Sequence, residues 1–239
     1  MQFMRSDDHH LDACWMTWNH PDTKLKLTTY PMVHIADREY YDRVAADLSR
    51  CRHVLLEGVS WRTGDRRRPL YDLAARNLGL AAQEVALRYP ASATRLNVDM
   101  GRAEFRSEFF RLPIHRIVLL VLLRRVLWLV TLFPSLRKDV IRYVFLHRRW
   151  RSSRDDAPVD RLIIGSRDRR IVENVKRFFR EHGQGDETRF AGIVFGAGHM
   201  PAISAGLRDL GFQVGTRRWI EVFRIRPATS PAGRLSRPS

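Results

Sequence analysis

The chain has 239 residues, 44% of them apolar, enough for one α/β domain with a sizeable core and too apolar for a disordered polypeptide. Its formal charge of +16 would point to nucleic acid or an anionic surface, but Lys occurs only at Lys24, Lys26, Lys138 and Lys176, and the Arg residues are spread along the whole chain. With no recognition-helix, RNP or zinc-finger pattern, that spread argues against a specific nucleic-acid partner, and Cys14 and Cys51 give neither a disulfide framework nor a metal-cluster spacing.

The first eight residues read as loose, and "DHHLD" at 8–12 falls at a mobile end. "MQFMRSDDHHLDACW" lacks a basic region followed by an apolar one, so it is not a signal peptide and a cytoplasmic location is expected. "ACWMTW" and "KLKLTTYPMVHI" are predicted strands, with "NHPDT" as the turn between them. Tyr41, Val44, Ala45 and Leu48 recur at helical spacing in "REYYDRVAADLSR". "HVLLEGV" is a short strand ending at Glu57 and Gly58, and "SWRTGDRRRP" is a polar loop. From Leu70 to Tyr89 the pattern is helical with a break at Gly79, and "TRLNVDM" is another short strand.

From Arg102 to Trp150 the chain reads as helical, and within it lies the apolar run 112–134. Arg124 and Arg125 sit near its middle, and each central Arg costs about 2.5–3.5 kcal/mol on insertion scales. A buried helix, or one lying peripherally on an anionic membrane or against a partner, is therefore favoured over a span. After the polar connector "RWRSSRDDAP", "VDRLIIGS" is a predicted strand and "RDRRIVENVKRFFREHG" an amphipathic helix stopped by Gly183. "FAGIVFGAG" is a strand, "MPAISAGLRDLG" a helix ended by Gly211, and "FQVGTRRWIEVFRI" strand-like, with a hairpin around Gly215 as one reading. The expected organisation is a single α/β domain over 9–226, with a helical insert at 102–150 and a disordered Pro/Ser-rich tail at 227–239. Its sheet is expected to be mixed, built from two strand–helix–strand halves and flanked by helices.

Those halves form a weak repeat: a strand ends at His34 or His199, a helix follows, and the next strand carries Glu57 or Glu221, 23 or 22 residues on. Open α/β sheets form ligand crevices outside the carboxyl ends of their strands. His34, Glu57 and His199 are expected there, with Arg167 at the start of a helix. Gly196 and Gly198, lacking Cβ atoms, allow close backbone approach before His199. Two His and one carboxylate match the protein ligands of a catalytic metal site with an open position. Each residue also has a plainer reading: a hydrogen-bonded His at a strand end, Glu57 paired with an Arg, Asp37 as a helix cap. Gly196-Ala197-Gly198 lacks the full dinucleotide fingerprint and a P-loop Lys.

"MVHIADREYYDRVAADLSRCRHVLLEGV", "IIGSRDRRIVENVKRFF" and "IVFGAGHMPAISAGLRDLGFQV" together resemble the TraB/PrgY/GumN/TIKI superfamily, with its EreA/ChaN-like fold. The resemblance covers about 28–60 and 160–224, and its motif positions fall on His34, Glu57, Arg167, Gly196 and His199. It departs at "PMVH", where Pro31 stands in place of the first motif glycine. It implies a hydrolase of peptides or esters dependent on a divalent metal (Mn, Co or Zn). His34, Glu57 and His199 would be around the metal, and Arg167 would face a developing oxyanion or a substrate carboxylate. Glu57 as general base and not a ligand stays open, as does a non-catalytic binding or regulatory module with the same fold, with or without membrane association.

Overall fold

The computed structural model describes residues 1–7, 9–58, 70–99, 166–185 and 187–224, with single positions at 101, 103, 107, 114, 118 and 122. All of the strand "VDRLIIGS" but Ser166, the tail at 227–239, most of the insert at 102–150 and most of the run at 112–134 lie outside the described residues.

Along β2 (His10–Asn19), Leu11, Ala13 and Trp15 join one apolar cluster and Cys14, Met16 and Trp18 the other, all at most 4% exposed. A strand apolar on both faces needs cover on both. The same alternation runs through β3 (Leu25–Met32), where Tyr30 and Met32 face one cluster and Leu25 and Leu27 the other. It recurs in β8 (Arg189–Gly196), with Val194 opposed to Ala191, Ile193 and Phe195. On the first face α1 (Arg38–Leu48) buries Tyr40, Tyr41, Val44 and Leu48. On the second, α4 (Ser166–His182) contributes Ile171, Val175 and Phe178, and α5 (Met200–Asp209) contributes Met200, Ile203 and Leu207. These are the one-faced spacings of amphipathic helices, and the result is three layers, helix–sheet–helix.

The seven-stranded sheet is mixed and mostly parallel. β3, β8, β5 (His53–Leu56) and β7 (Thr94–Asn97) lie side by side in that order and run parallel. β2 is antiparallel to β3, and β9 (Gln213–Arg224) pairs β2 along its whole length. β1 (Met4–Ser6) therefore shares the other edge of β2 with β3, pairing residues 11–13 while β3 pairs 16–19. A small separate ladder joins β4 (Ile35–Ala36) to β6 (Ala81–Ala82), next to α2 (Leu70–Leu78) and the short α3 (Gln83–Ala86). Among the described residues no helix is long and apolar enough to cross a membrane.

Local readings differ from the structure at several points, one of them within the stretch read as helical from Leu70 to Tyr89, where Ala81–Ala82 is the strand β6 and the helix α3 stops at Ala86. Residues 4–6 are a strand, because β2 extends back to His10 and offers them a partner. Gly215 lies inside the continuous β9, where register shifts against β2 between Met16 and Trp18, a bulge in place of a hairpin. Gly79, by contrast, does break the helical stretch, with φ +70°. Gly211, at φ +91°, ends α5 with Gly211 N–H on the Arg208 carbonyl (2.8 Å) and Phe212 N–H on the Leu207 carbonyl (3.0 Å), the paired bonds of a Schellman cap. At the start of α1, Asp37 makes no side-chain cap; it binds β9 instead, its N–H on the Val222 carbonyl (2.9 Å) and its Oδ2 accepting Arg224 N–H (3.1 Å).

Candidate functional site

Parallel strands bring their carboxyl ends to one edge of the sheet. Register aligns Met32 of β3 with Gly196 of β8, Leu56 of β5 with Val194, and Asn97 of β7 with Leu56. Gly196, the last residue of β8, therefore gathers with Glu57 after β5, Asp99 after β7 and His199 just beyond β8, while His34 follows β3 at the neighbouring strand end. The first turn of α4 adds Arg167 and Asp168.

Glu57 is the hub. Its Oε2 accepts the Gly196 N–H, and its Oε1 accepts Arg167 Nη2 (3.1 Å) and faces His199 Nε2 (3.4 Å). Arg167 also donates from Nε to Asp99 Oδ1 (3.1 Å) and from Nη2 to Asp99 Oδ2. Asp99 Oδ2 accepts the Gly58 N–H as well (3.0 Å). Gly58 has φ +142°, a conformation that side chains resist, so the chain can turn there directly after Glu57. His199 Nδ1 meets Asp168 Oδ1 at 2.6 Å. The Asp99 side chain is fully buried (0% exposed), whereas those of Glu57 (18%) and Asp168 (20%) retain a solvent-facing part, so a ligand would approach past those two.

The charges follow from these contacts. Burial would raise the Glu57 carboxyl, but His199, the Gly196 N–H and Arg167 outweigh it and hold it at about 2. Burial would lower the His199 imidazole, but Asp168 and Glu57 lift it to about 9. At Asp168 the balance is reversed: burial dominates over His199, and its carboxyl is pushed up. Arg167 is desolvated, yet its two carboxylate partners raise it further. At neutral pH the centre thus holds a carboxylate and an imidazolium in contact. Tyr89, pushed up to about 12 chiefly by burial, feels the Glu57 charge from the loop after α3.

Of the residues singled out from sequence, Glu57, Arg167, Gly196 and His199 meet. His34 stands at the neighbouring strand end with an exposed side chain, and its carbonyl accepts Gln83 N–H (2.9 Å). Gly196 has a clear use: a Cβ there would lie 2.9 Å from Glu57 Oε2. Gly198 is exposed, in the 3-10 turn Ala197–His199, and is not a positive-φ glycine. Pro31 is buried in β3 where the ladder to β2 has already stopped at Thr29, so its missing N–H is tolerated. Glu221, the counterpart of Glu57 in the repeat, belongs to β9, two strands beyond β3, and pairs with Arg224 (2.8 Å). Asp99 and Asp168 escaped the sequence reading, although Asp99 follows a predicted strand just as Glu57 does.

As arranged, the described donors do not fit a divalent cation. Both Glu57 oxygens already accept N–H groups, one from a guanidinium, and the imidazole is held as a cation between two carboxylates. Among the described residues no group of three or more His, Cys, Asp or Glu is placed to hold a metal ion. Comparison with protein-family models, with curated proteins and with solved structures gives no match for this chain.

Proposed function

We propose that the chain is a hydrolase of peptide or ester carbonyls that works by proton transfer between Glu57 and His199. The observation that carries this reading is the pair itself: two neighbouring titratable groups with their pKa values pushed far apart, about 2 and about 9, at the carboxyl edge of a parallel sheet. Glu57 Oε2 keeps a second acceptor position beside the Gly196 N–H. There it would orient the attacking water and accept its proton as the carbonyl is attacked, and that proton would return from Glu57 to His199 Nε2, 3.4 Å from Oε1, once the leaving group has been protonated. His199 would give its proton to the leaving group, with Asp168 on Nδ1 turning Nε2 towards the reaction. Arg167, its Nε and Nη2 engaged by Asp99 and Glu57, holds the carboxylate in place; only its Nη1 N–H groups would be left for an oxyanion. The resemblance to the TraB/TIKI superfamily agrees with a hydrolytic site on these positions. A divalent metal would enter only if Arg167 left Glu57, bringing His34 in as the further ligand.

The second reading, a non-catalytic binding or regulatory module, is favoured by the completeness of the ion network, in which Glu57, Arg167, Asp99, Asp168 and His199 already satisfy one another. The test is purified protein against a panel of esters and peptides, with chelator and with added Mn, Co or Zn. Proton-transfer hydrolysis expects turnover indifferent to chelator and lowered roughly 10²-fold or more in Glu57→Gln and His199→Ala. Turnover abolished by chelator and restored by metal would replace it with the metal-dependent reading. No turnover with any substrate class would favour the binding module.

A further inference from the structure

Ile114, Val118 and Leu122 are helical and are 78%, 50% and 55% exposed. Steps of four residues are the spacing that returns to one face of a helix, about 6 Å apart along its axis. The other strongly exposed large apolar side chains among the described residues, Met1 (45%) and Val85 (48%), lie far from them in sequence and from each other. A line of three is a different feature from scattered surface hydrophobics, which need no explanation.

The surrounding sequence says what chemistry would cover this face. In the sequence Arg111 stands three positions before Ile114, and Arg124 and Arg125 follow Leu122 within three. Between Glu108 and Asp139 there is no acidic residue, but there are Arg111, Arg116, Arg124, Arg125, Arg137 and Lys138. A second copy of the chain would bring cations against cations with no carboxylate of the segment between them. Nucleic acid would satisfy the Arg residues and leave the aliphatic line in water. An anionic bilayer surface satisfies both, taking aliphatic side chains into the acyl boundary and guanidinium groups among the lipid phosphates.

We propose that the face bearing Ile114, Val118 and Leu122 is a docking surface that seats the protein on an anionic lipid bilayer. This rests on neither the hydrolytic site nor the network around Glu57. The test is flotation of the full chain with vesicles of phosphatidylcholine alone and of phosphatidylcholine with phosphatidylglycerol, at low and high salt. Wild type is expected to float with the anionic vesicles and to be released from them by salt. The double variant Val118→Glu/Leu122→Glu should bind at least roughly tenfold more weakly, since each replacement withdraws an aliphatic group from the apolar phase. Val85→Glu, which changes an exposed aliphatic residue elsewhere, should bind as wild type does. Thermal melts of all three should superimpose; if the double variant melts early, Leu122→Asn alone takes its place. The proposal is overturned by no binding to anionic vesicles, by equal binding to neutral ones, or by binding that these substitutions leave unchanged. It is equally overturned if they dissolve a dimer of the chain and leave lipid binding intact.

Discussion

Replacing Asp168 with Asn removes the carboxylate on His199 Nδ1 while keeping its shape and one acceptor oxygen. In the wild type, burial alone would put the imidazole below its ordinary 6.5; Asp168 and Glu57 lift it to about 9. That rise is worth about 3 kcal/mol in favour of the imidazolium. Asp168 is the nearer partner, at 2.6 Å against 3.4 Å for Glu57. A hydrogen bond to a charged group contributes about 1.5–3 kcal/mol, so at least half of the preference should vanish and His199 should titrate well below its wild-type value. The sign on stability follows from a raised folded-state pKa. The contribution of His199 is fully present below 6.5 and is lost as pH rises through about 9. In the variant the loss still begins near 6.5, which the unfolded chain sets, but it should be smaller and complete at a lower pH. Burial also pushes the Asp168 carboxyl up, so the variant is relieved of a buried charge, and net destabilisation near neutral pH should be about 1–2 kcal/mol. Imidazole proton NMR reads the titration, and thermal melts across the same pH range read the stability. A His199 that still titrates near its wild-type value in the variant refutes the assignment of Asp168 as its main partner.

Arg167→Met should be the most damaging single change at the site. It leaves the fully buried Asp99 and the mostly buried Glu57 without their shared cation, a loss of about 3–5 kcal/mol in urea unfolding. Gly196→Ala places a methyl group 2.9 Å from Glu57 Oε2; the carboxylate must retreat from the Gly196 N–H, at about 1–3 kcal/mol, and a variant as stable as wild type would show that this contact carries nothing. Leu207→Ala, at a fully buried position on the sheet-facing side of α5, should cost about 2–5 kcal/mol in the same assay without moving the His199 titration.

The site was partly legible from sequence because strand ends are legible. "HVLLEGV" and "FAGIVFGAG" announce their own termini through apolar runs closed by glycine, and Glu57, Gly196 and His199 follow from that. Asp99 needed the knowledge that β7 lies beside β5, and the alignment of Asn97 with Leu56 is a tertiary fact that "TRLNVDM" does not carry. Asp168 stood in plain view next to Arg167, but in a run of charges the carboxylate that turns inward looks like its solvated neighbours. The helices α1, α4 and α5 were readable from their spacing, and Gly211 from its place after one of them. The bulged course of β9 was not, since a glycine inside a strand-like run signals a turn and a bulge equally well. The apparent repeat dissolved for a similar reason: β5 is separated from β3 only by β8, whereas β9 goes to the far side of β2.

The placement of β8 between β3 and β5 bears on how the polypeptide reaches its native state. Both neighbours belong to the first 56 residues, and the strand that joins them begins at Arg189. Until β8 is synthesised, β3 and β5 each present an unpaired inner edge that can pair with any other extended chain. Closing the gap requires contacts across well over a hundred positions, a high contact order that slows the search. During translation the early strands must therefore wait as an incomplete sheet, and that interval is when shielding by chaperones would matter most. Chains truncated before Arg189 should accumulate as aggregates, and chains extended past Arg224 should not.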